Sequence, residues 1–370
     1  MSNERISIAR PYIGEEEIEA VINVLKSGML ACGKVTKKFE EEFEEYCGSE
    51  YAIAVTNGTV ALQLAMMSLD IGPGDEVIVP SFTFVATANS VASLGAKPVF
   101  VDIDLETYLI SFEEVRKNIT PATKAIIAVH LYGLPVDIEA MRDFIGEKCP
   151  PIIGDAAQAH GSSVNGKMVG SLSDLETFSF YPTKNMCTGE GGMVTTSDKE
   201  LAEKMLSIRN HGRPGSTLGT YSYERLGLNF RPTDVLMAIG RVQLSRLGSF
   251  NKQRRENANF LNRKLGDSGI ITPIEPVGRV HSYHQYTIRS QNRESLRRFL
   301  DEGGIGSGIY YPESLTDLPH LQVHGRICDS PNSEIASGEV LSLPIHPGLG
   351  EEEMEKISKS VLEWVSANDR

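Results

Sequence analysis

The chain is poor in the features that mark several large protein classes. Of its 370 residues only one is tryptophan and five are cysteine, namely Cys32, Cys47, Cys149, Cys187 and Cys328. Their number is odd and no CxxC pair occurs, so neither a disulfide framework nor a structural zinc site is expected, and no metal is assigned. Basic residues are in the minority: 36 Lys and Arg stand against 49 Asp and Glu, a net charge of −13. A general nucleic-acid binder needs a basic face to neutralise phosphates, so no nucleic-acid partner is expected. An anionic small ligand is still allowed, because a local pocket can oppose the global charge. No uninterrupted apolar run is long enough to span a bilayer, and Met1-Ser-Asn-Glu-Arg-Ile-Ser lacks the basic start and apolar core of a signal peptide. A cytoplasmic protein with reduced thiols and no membrane partner is the expectation. Internal repeats and low-complexity linkers are missing too.

What is present is ordinary globular material: 41% hydrophobic and 23% charged residues exclude a disordered or fibrous chain. The length exceeds what one core usually takes, so two domains are expected, residues 1–248 and 249–370. Residues 15–27 carry Ile18, Val21, Ile22 and Leu25 on one helical face, with Gly28 at the place of a C-terminal cap. Short, continuously apolar runs then alternate with helical segments. The runs are 51–56, 76–80, 98–102, 125–130 and 152–155; the helices are 60–69, 85–94 and 112–118. Continuous rather than alternating apolarity is the pattern of a parallel sheet buried on both faces, and the alternation with helices implies an α/β layered domain. Ligands of open α/β sheets bind outside the carboxyl ends of the strands. Chemistry is therefore sought at 56–59, 81–84, 130–133 and 155–158. Beyond residue 248 the pattern fades. Residues 278–290 and Ile309–Pro312 read as strands of a smaller α+β unit, and a last helix, 351–365, presents Met354, Ile357, Val361 and Val365.

One motif is a decoy. Gly28-Met-Leu-Ala-Cys-Gly33-Lys34-Val35 lacks the Ser or Thr that a phosphate-binding P-loop needs after its lysine, and it follows a helix instead of a strand, so a plain inter-helix loop is expected. Three other segments carry chemistry. In the run from Phe178 to Gly192, Lys184 lies between aromatic residues and glycines. Such surroundings desolvate an amine, lower its pKa and expose the neutral nucleophile of Schiff-base chemistry, although a lone lysine is more often a snorkelling surface residue. Asp155 ends an apolar strand. Its ordinary use is as a helix cap; its functional use is to face a pyridinium nitrogen, keeping a ring protonated so that it accepts electrons from a carbanion. Thr56-Asn57-Gly58-Thr59 opens a helix, where free N–H groups suit a phosphate but an ordinary strand–helix junction looks the same. The order phosphate cradle, acid, lysine on one parallel sheet is that of a pyridoxal 5′-phosphate (PLP) enzyme of the aspartate-aminotransferase type.

At these residues the chain resembles the DegT/DnrJ/StrS family of PLP-dependent sugar aminotransferases. The resemblance runs through Ile8-Ala-Arg-Pro-Tyr-Ile-Gly, Asn57-Gly-Thr, Gly74-Asp-Glu-Val-Ile-Val-Pro-Ser-Phe-Thr-Phe and Val101-Asp-Ile-Asp. It is densest in Gly154-Asp-Ala-Ala-Gln, Ser179-Phe-Tyr-Pro-Thr-Lys-Asn and Gly189-Glu-Gly-Gly, and persists in Arg209-Asn-His-Gly, Gly227-Leu-Asn-Phe-Arg and Leu343-Pro-Ile-His-Pro. It implies fold type I: a large α/β domain with a mostly parallel, seven-stranded sheet, and a smaller C-terminal α+β domain. By the same resemblance Lys184 matches the lysine that binds the coenzyme, Asp155 the acid at the pyridine nitrogen, Gln158 the glutamine near the ring hydroxyl and Phe84 the aromatic stacked on the ring. Gly58, Thr59 and Ser179 match the phosphate cradle, Asn229 a residue that reaches the phosphate from a neighbouring subunit, and Arg231 a contact for the donor's carboxylate.

The implied activity is transfer of an amino group from an amino acid, with L-glutamate expected, to a keto-sugar, with a nucleotide-linked 3- or 4-keto hexose expected, in amino-sugar and cell-surface glycan biosynthesis. A homodimer with shared active sites is implied as well. Three departures stand out: Met186-Cys187 after Lys184-Asn185, Pro232 after Arg231, and Ile309-Tyr-Tyr-Pro where the family often has a His before Tyr-Pro. Rival readings are a PLP-dependent sugar dehydratase, which carries His where Lys184 stands, a cysteine desulfurase using Cys187, and a non-catalytic regulator that binds PLP or a sugar. The sugar-facing loops, Arg213–Tyr223 and Leu315–Arg326, carry no readable specificity.

Overall fold

A computed structural model describes residues 5–214 and 221–368. The apolar runs become strands of a single eight-stranded sheet: β1 (Tyr51–Val55), β2 (Glu76–Pro80), β3 (Lys97–Val101), β4 (Thr123–Val129) and β5 (Ile152–Asp155). Two short strands, β6 (Ser163–Val164) and β7 (Lys167–Met168), lie outside it. The main sheet resumes with β8 (Leu175–Ser179) and β9 (Gly192–Thr196). Further along, β10 (Arg279–Val280) joins β6 and β7, and β11 (Tyr286–Arg289) pairs with β13 (Val340–Leu343). Between these last two strands in the chain, β12 (Arg326–Ile327) returns to the large sheet.

The order across the large sheet is β1-β9-β8-β5-β4-β2-β3-β12. Only β9 runs against its neighbours; every other pairing is parallel. The sequence-based count of seven strands thus gains an eighth, the two-residue β12. Right-handed crossovers through α3 (Gly58–Ser68) and α4 (Ala86–Ser93) bring successive strand ends to one edge. Before them in the chain come α1 (Glu15–Ser27) and α2 (Lys34–Cys47); after them come α5 (Phe112–Asn118), α6 (Ile138–Ile145), α7 (Lys199–Arg209) and α8 (Asp234–Leu265). The strands are buried on both faces, which is why they read as unbroken apolar runs. In β1, Ile53 and Val55 join the core that includes Leu62 and Ala65 of α3, while Ala52 and Ala54 face Phe39 and Phe43 of α2.

The 32-residue α8 ties the two cores together. Its Met237, Leu244 and Leu247 pack with α2 and the large sheet, whereas Ala258, Leu261 and Leu265 pack with β11, β13 and the last helix, Glu351–Asn368. Residue 248 therefore falls inside a continuous helix.

Two sequence expectations differ from the structure. The helix at 15–27 forms and Gly28 caps it at φ 70, yet its apolar stripe faces outward: Ile18, Ile22 and Leu25 are 45%, 40% and 54% exposed. The reason is polar. The buried Glu17 carboxylate accepts from Arg246 at 2.9 Å and Gln243 at 2.7 Å, so α1 docks on α8 through this cluster and Val24. Ile309–Pro312 is not a strand. Gly308 makes an isolated bridge to Ser342, and the segment is held by side chains instead of a ladder. No helix among the described residues is long and apolar enough to cross a membrane.

Candidate active site

The site lies at the carboxyl edge of the large sheet. Asp155 is the last residue of β5 and Ser179 the last of β8. Gly192, the first residue of antiparallel β9, pairs with both Ser179 and Val55, so the turn after β1 and the start of α3 meet at the same edge. The approach is close. A Cβ on Gly58 would stand 2.7 Å from that of Ser179, and one on Gly192 would stand 2.5 Å from the Asn57 carbonyl oxygen. Asn57 caps α3 by accepting from the Val60 N–H at 2.9 Å. The N–H groups of Gly58 and Thr59 keep no intrahelical partner and point out of the helix start, beside the Ser179 hydroxyl.

The Asp155 carboxylate accepts from the Thr87 hydroxyl at 2.9 Å and the Ala157 N–H at 3.2 Å. Among the described residues it forms no ion pair. Burial raises its pKa above the ordinary value, with Thr87, Ala157, Lys184 and His130 pulling the other way. It is a buried carboxylate with two hydrogen bonds and no ion pair within contact distance, so the charge of Lys184 compensates it only in part and a further positive group would complete it.

Lys184 sits in the turn after β8, its N–H donating to the Tyr181 carbonyl at 2.9 Å. The next residue is clamped. Asn185 donates to Asn251 of α8 at 2.8 Å and to the Ser282 carbonyl at 3.1 Å, and meets His284 at 3.2 Å. Burial lowers the Lys184 pKa to about 8, opposed by the charge of Asp155. Both buried histidines nearby are held neutral. His160, packed against Phe178 and Phe180, is lowered to about 3 by burial and by Lys184, and His284 is pushed down for the same two reasons. The surroundings of the amine thus favour its neutral form.

A third wall is made by Gln158, Tyr311 and Phe84. Gln158 accepts from the Tyr132 N–H at 2.7 Å and donates to the Tyr311 hydroxyl at 3.0 Å. The Tyr311 and Phe84 rings are 5.9 Å apart, and Phe84 is 53% exposed, a large apolar ring facing open space. Thr87, Asn185, Tyr132 and Tyr311 are site-building residues that sequence reasoning did not single out. Asn185 lies in the lysine motif, Tyr311 in the Ile309-Tyr-Tyr-Pro departure and Tyr132 in the strand-end stretch 130–133, whereas Thr87 has no local signal.

Two candidates lie elsewhere. Asn229 is exposed and bridges to Asn210, and Arg231 donates to the Asn210 side chain at 2.6 Å. Among the described residues, neither hydrogen-bonds to or pairs with Lys184, Asp155 or Gln158. The decoy motif has its own occupant: the buried Asp234 carboxylate accepts from the N–H groups of Gly33, Val35 and Thr36 at 2.8–3.1 Å, so the start of α2 is filled by protein. Cys187 is buried and its thiol is pushed up, which disfavours the thiolate a desulfurase needs.

These parts fit one kind of ligand: a flat ring carrying a phosphate, a basic ring nitrogen and a carbonyl for the lysine. A free helix start with a hydroxyl beside it would suit the phosphate, the incompletely compensated Asp155 would suit a protonated ring nitrogen, and Phe84 would offer a flat apolar surface. The sheet order and this edge define a fold type I protein whose coenzyme is pyridoxal 5′-phosphate. Residues 11–362 match the DegT/DnrJ/EryC1/StrS aminotransferase family, and the chain belongs to that family. It is 41% identical over 355 residues to a pleiotropic regulatory protein of Geobacillus stearothermophilus, covering 94% of each chain. It is 38% identical to the UDP-N-acetyl-3-dehydro-α-D-glucosamine 3-aminotransferase of Acidithiobacillus ferrooxidans, covering 93% of this chain and 92% of that one. Among solved structures, DesV of Streptomyces venezuelae in complex with a ketimine intermediate superposes with a TM-score of 0.90 at 38% identity, over 95% of this chain and 94% of that one. A Streptococcus pneumoniae neighbour has been solved in PLP and PMP forms.

Proposed function

We propose that this aminotransferase moves an amino group from L-glutamate to the keto group of a nucleotide-linked hexose, at C3 or C4. The observation that carries the proposal is Lys184, an amine eased toward neutrality by burial, held on the same sheet edge as the unpaired Asp155. When bound, PLP supplies the electron sink that lets an amino acid's α-carbon release its proton.

In this reading the residues divide the work. The N–H groups of Gly58 and Thr59 and the Ser179 hydroxyl hold the phosphate. Asp155, positioned by Thr87 and the Ala157 N–H, holds the proton on the ring nitrogen. Phe84 covers one ring face and excludes water from it. Gln158 faces the ring oxygen. Lys184 would anchor the coenzyme, and its Nζ, once free, would take the donor's α-proton as base and hand it on as acid to the coenzyme side rather than return it to the donor's α-carbon. The Asn185 clamp keeps that amine on course. Arg231 is assigned to the donor's carboxylate.

The working unit in this proposal is a homodimer. Met29 and Leu30 are 70% and 47% exposed, Leu226 and Leu228 are 80% and 48% exposed, and the outward stripe of α1 continues toward them. Backbone contacts tie the Met29–Ala31 stretch to the start of α8, since Asp234 donates to Leu30 and Ala31 bridges to Thr233. Exposed apolar side chains of this kind, Leu226 and Leu228 flanking the exposed Asn229 in sequence, suit a second copy that receives Asn229 at its phosphate. Of the Arg213–Tyr223 loop, residues 215–220 lie outside the described residues. We place the division between the domains near residue 248, within α8.

The test is a panel of nucleotide-linked 3- and 4-keto sugars offered to the amine-loaded protein, with return of the coenzyme's visible band as the signal. Turnover with one sugar class supports the proposal. A visible band that glutamate leaves unchanged, with no sugar consumed, points to a binding protein instead.

A further inference from the structure

We propose that Tyr311 is a positioning residue that, through Gln158, turns only hydrogen-bond donors toward the coenzyme's ring oxygen and so holds that oxygen ionised. The inference rests on the coenzyme reading above and deepens it.

The argument starts from an atom whose role is fixed. The oxygen and nitrogen of a glutamine amide look alike by shape, and only their partners tell them apart. Here one end lies 2.7 Å from the backbone nitrogen of Tyr132, which can only donate, so that end is the oxygen. The other end is then the NH₂ group, and it donates one hydrogen to the Tyr311 hydroxyl oxygen at 3.0 Å. The unspent hydrogens of the pair are the second N–H of Gln158 and the O–H of Tyr311, for which no acceptor occurs among the described residues. Both are donors. A ring oxygen meeting them is stabilised as the anion, because a hydroxyl there would offer a third hydrogen where acceptors are scarce.

The arrangement is braced from three directions. Tyr132 sits at φ 58, a left-handed conformation that non-glycine residues seldom adopt. Its N–H to Gln158 and its hydroxyl to the Tyr310 carbonyl hold it there. The Tyr310–Tyr311 segment is thereby tied to the turn after β4 and to the turn after β5 at once. The Tyr311 ring lies 5.9 Å from the Phe84 ring while its hydroxyl lies 3.0 Å from the Gln158 amide, so the residue bridges the two side chains assigned to the ring pocket. The aromatic Tyr108 closes the turn, 5.5 Å from the Tyr132 ring. This is also the segment where the chain has Ile309-Tyr-Tyr-Pro, and where a strand was expected and a latch is found.

The experiment uses the coenzyme-loaded protein and its visible absorption as a function of pH. Donors on the ring oxygen draw its charge away from the neighbouring proton on the Lys184 nitrogen. Removing a donor strengthens the hold on that proton, so the midpoint rises. Asp155, Lys184, His130, Tyr108, Tyr132 and Tyr310 surround this wall and are kept in every variant. Tyr311→Phe, which deletes one oxygen and keeps the ring, is expected to raise the midpoint by about one pH unit with thermal unfolding little changed. Gln158→Glu, which removes both amide donors, is expected to raise it further. A Tyr311→Phe midpoint equal to that of the wild type, with or without a loss of thermal stability, overturns the proposal and leaves the coenzyme assignment standing. A wild-type protein that shows no coenzyme band overturns both.

Discussion

The two ends of the candidate site are built in different ways. At the inner end, Asp155, Gln158, Ser179 and Lys184 sit on or just after strand ends, each with a short bond to a neighbour in the same chain. At the outer end, Asn229 and Arg231 answer only to Asn210, among exposed Leu226, Leu228, Met29 and Leu30. The inner end is finished by the fold. The outer end has polar groups whose partner among the described residues is Asn210 alone, beside exposed apolar side chains. In the proposed reading a single chain carries the part assigned to the coenzyme, whereas the part assigned to the shared phosphate contact needs a second copy. Strand ends can be placed accurately by backbone pairing, while the loops beyond them depend on what packs over them.

Breaking the inner end is expected to have the largest effect. Lys184→Ala removes both the anchor and the proton carrier and is expected to lower kcat by more than about 10³-fold while coenzyme still associates, as measured by steady-state assay and by dialysis with absorbance. Substantial turnover in that variant contradicts the assignment. Asp155→Asn keeps a hydrogen-bond partner for Thr87 but loses the charge opposite the ring nitrogen. A drop in kcat of about 10²–10³-fold is expected, and an unchanged kcat would detach Asp155 from the chemistry.

The outer end is tested by Leu226→Asp combined with Met29→Asp. The pair is expected to shift the protein from dimer to monomer in sedimentation, with coenzyme affinity falling in parallel. Asn229→Ala alone is expected to weaken coenzyme binding by about 10–100-fold without changing the oligomer, as one lost hydrogen bond to a charged group would. A wild-type protein that sediments as a monomer at full activity would contradict the shared site.

The smallest effect is the pH response of the coenzyme-free protein. The folded-state pKa of Lys184 is lowered to about 8 from 10.5 in the unfolded chain. Its rate of modification by an amine-directed reagent should therefore rise through pH 8, two units or more below an ordinary lysine. The sign for stability follows. Between the two values the unfolded chain binds more protons than the folded one, so stability of the coenzyme-free protein rises with pH across that window. Below pH 8 the full penalty of burying this amine applies.

The inner end was readable in the sequence because its residues follow strands whose unbroken apolarity is itself a signature of two-sided burial. Elements without such a signature were hidden. β9, inserted antiparallel between β1 and β8, follows a glycine run that reads as loop. α8 is interrupted by Gly240 and Gly248 and buries polar residues such as Gln243, Asn251 and Arg254, so it lacks a plain apolar stripe. On α1 the stripe was visible and its direction was not, because a buried Glu17 decides which side docks. Tyr311 lies 153 residues from its partner Gln158, and no local pattern announces such a contact.

The account stands most directly on where the coenzyme is attached. Borohydride reduction of the yellow, coenzyme-loaded protein, followed by digestion and mass spectrometry, should place the pyridoxyl group on the peptide containing Lys184 and nowhere else. Label on another lysine, or no label at all in a protein that still transfers amino groups, would contradict it.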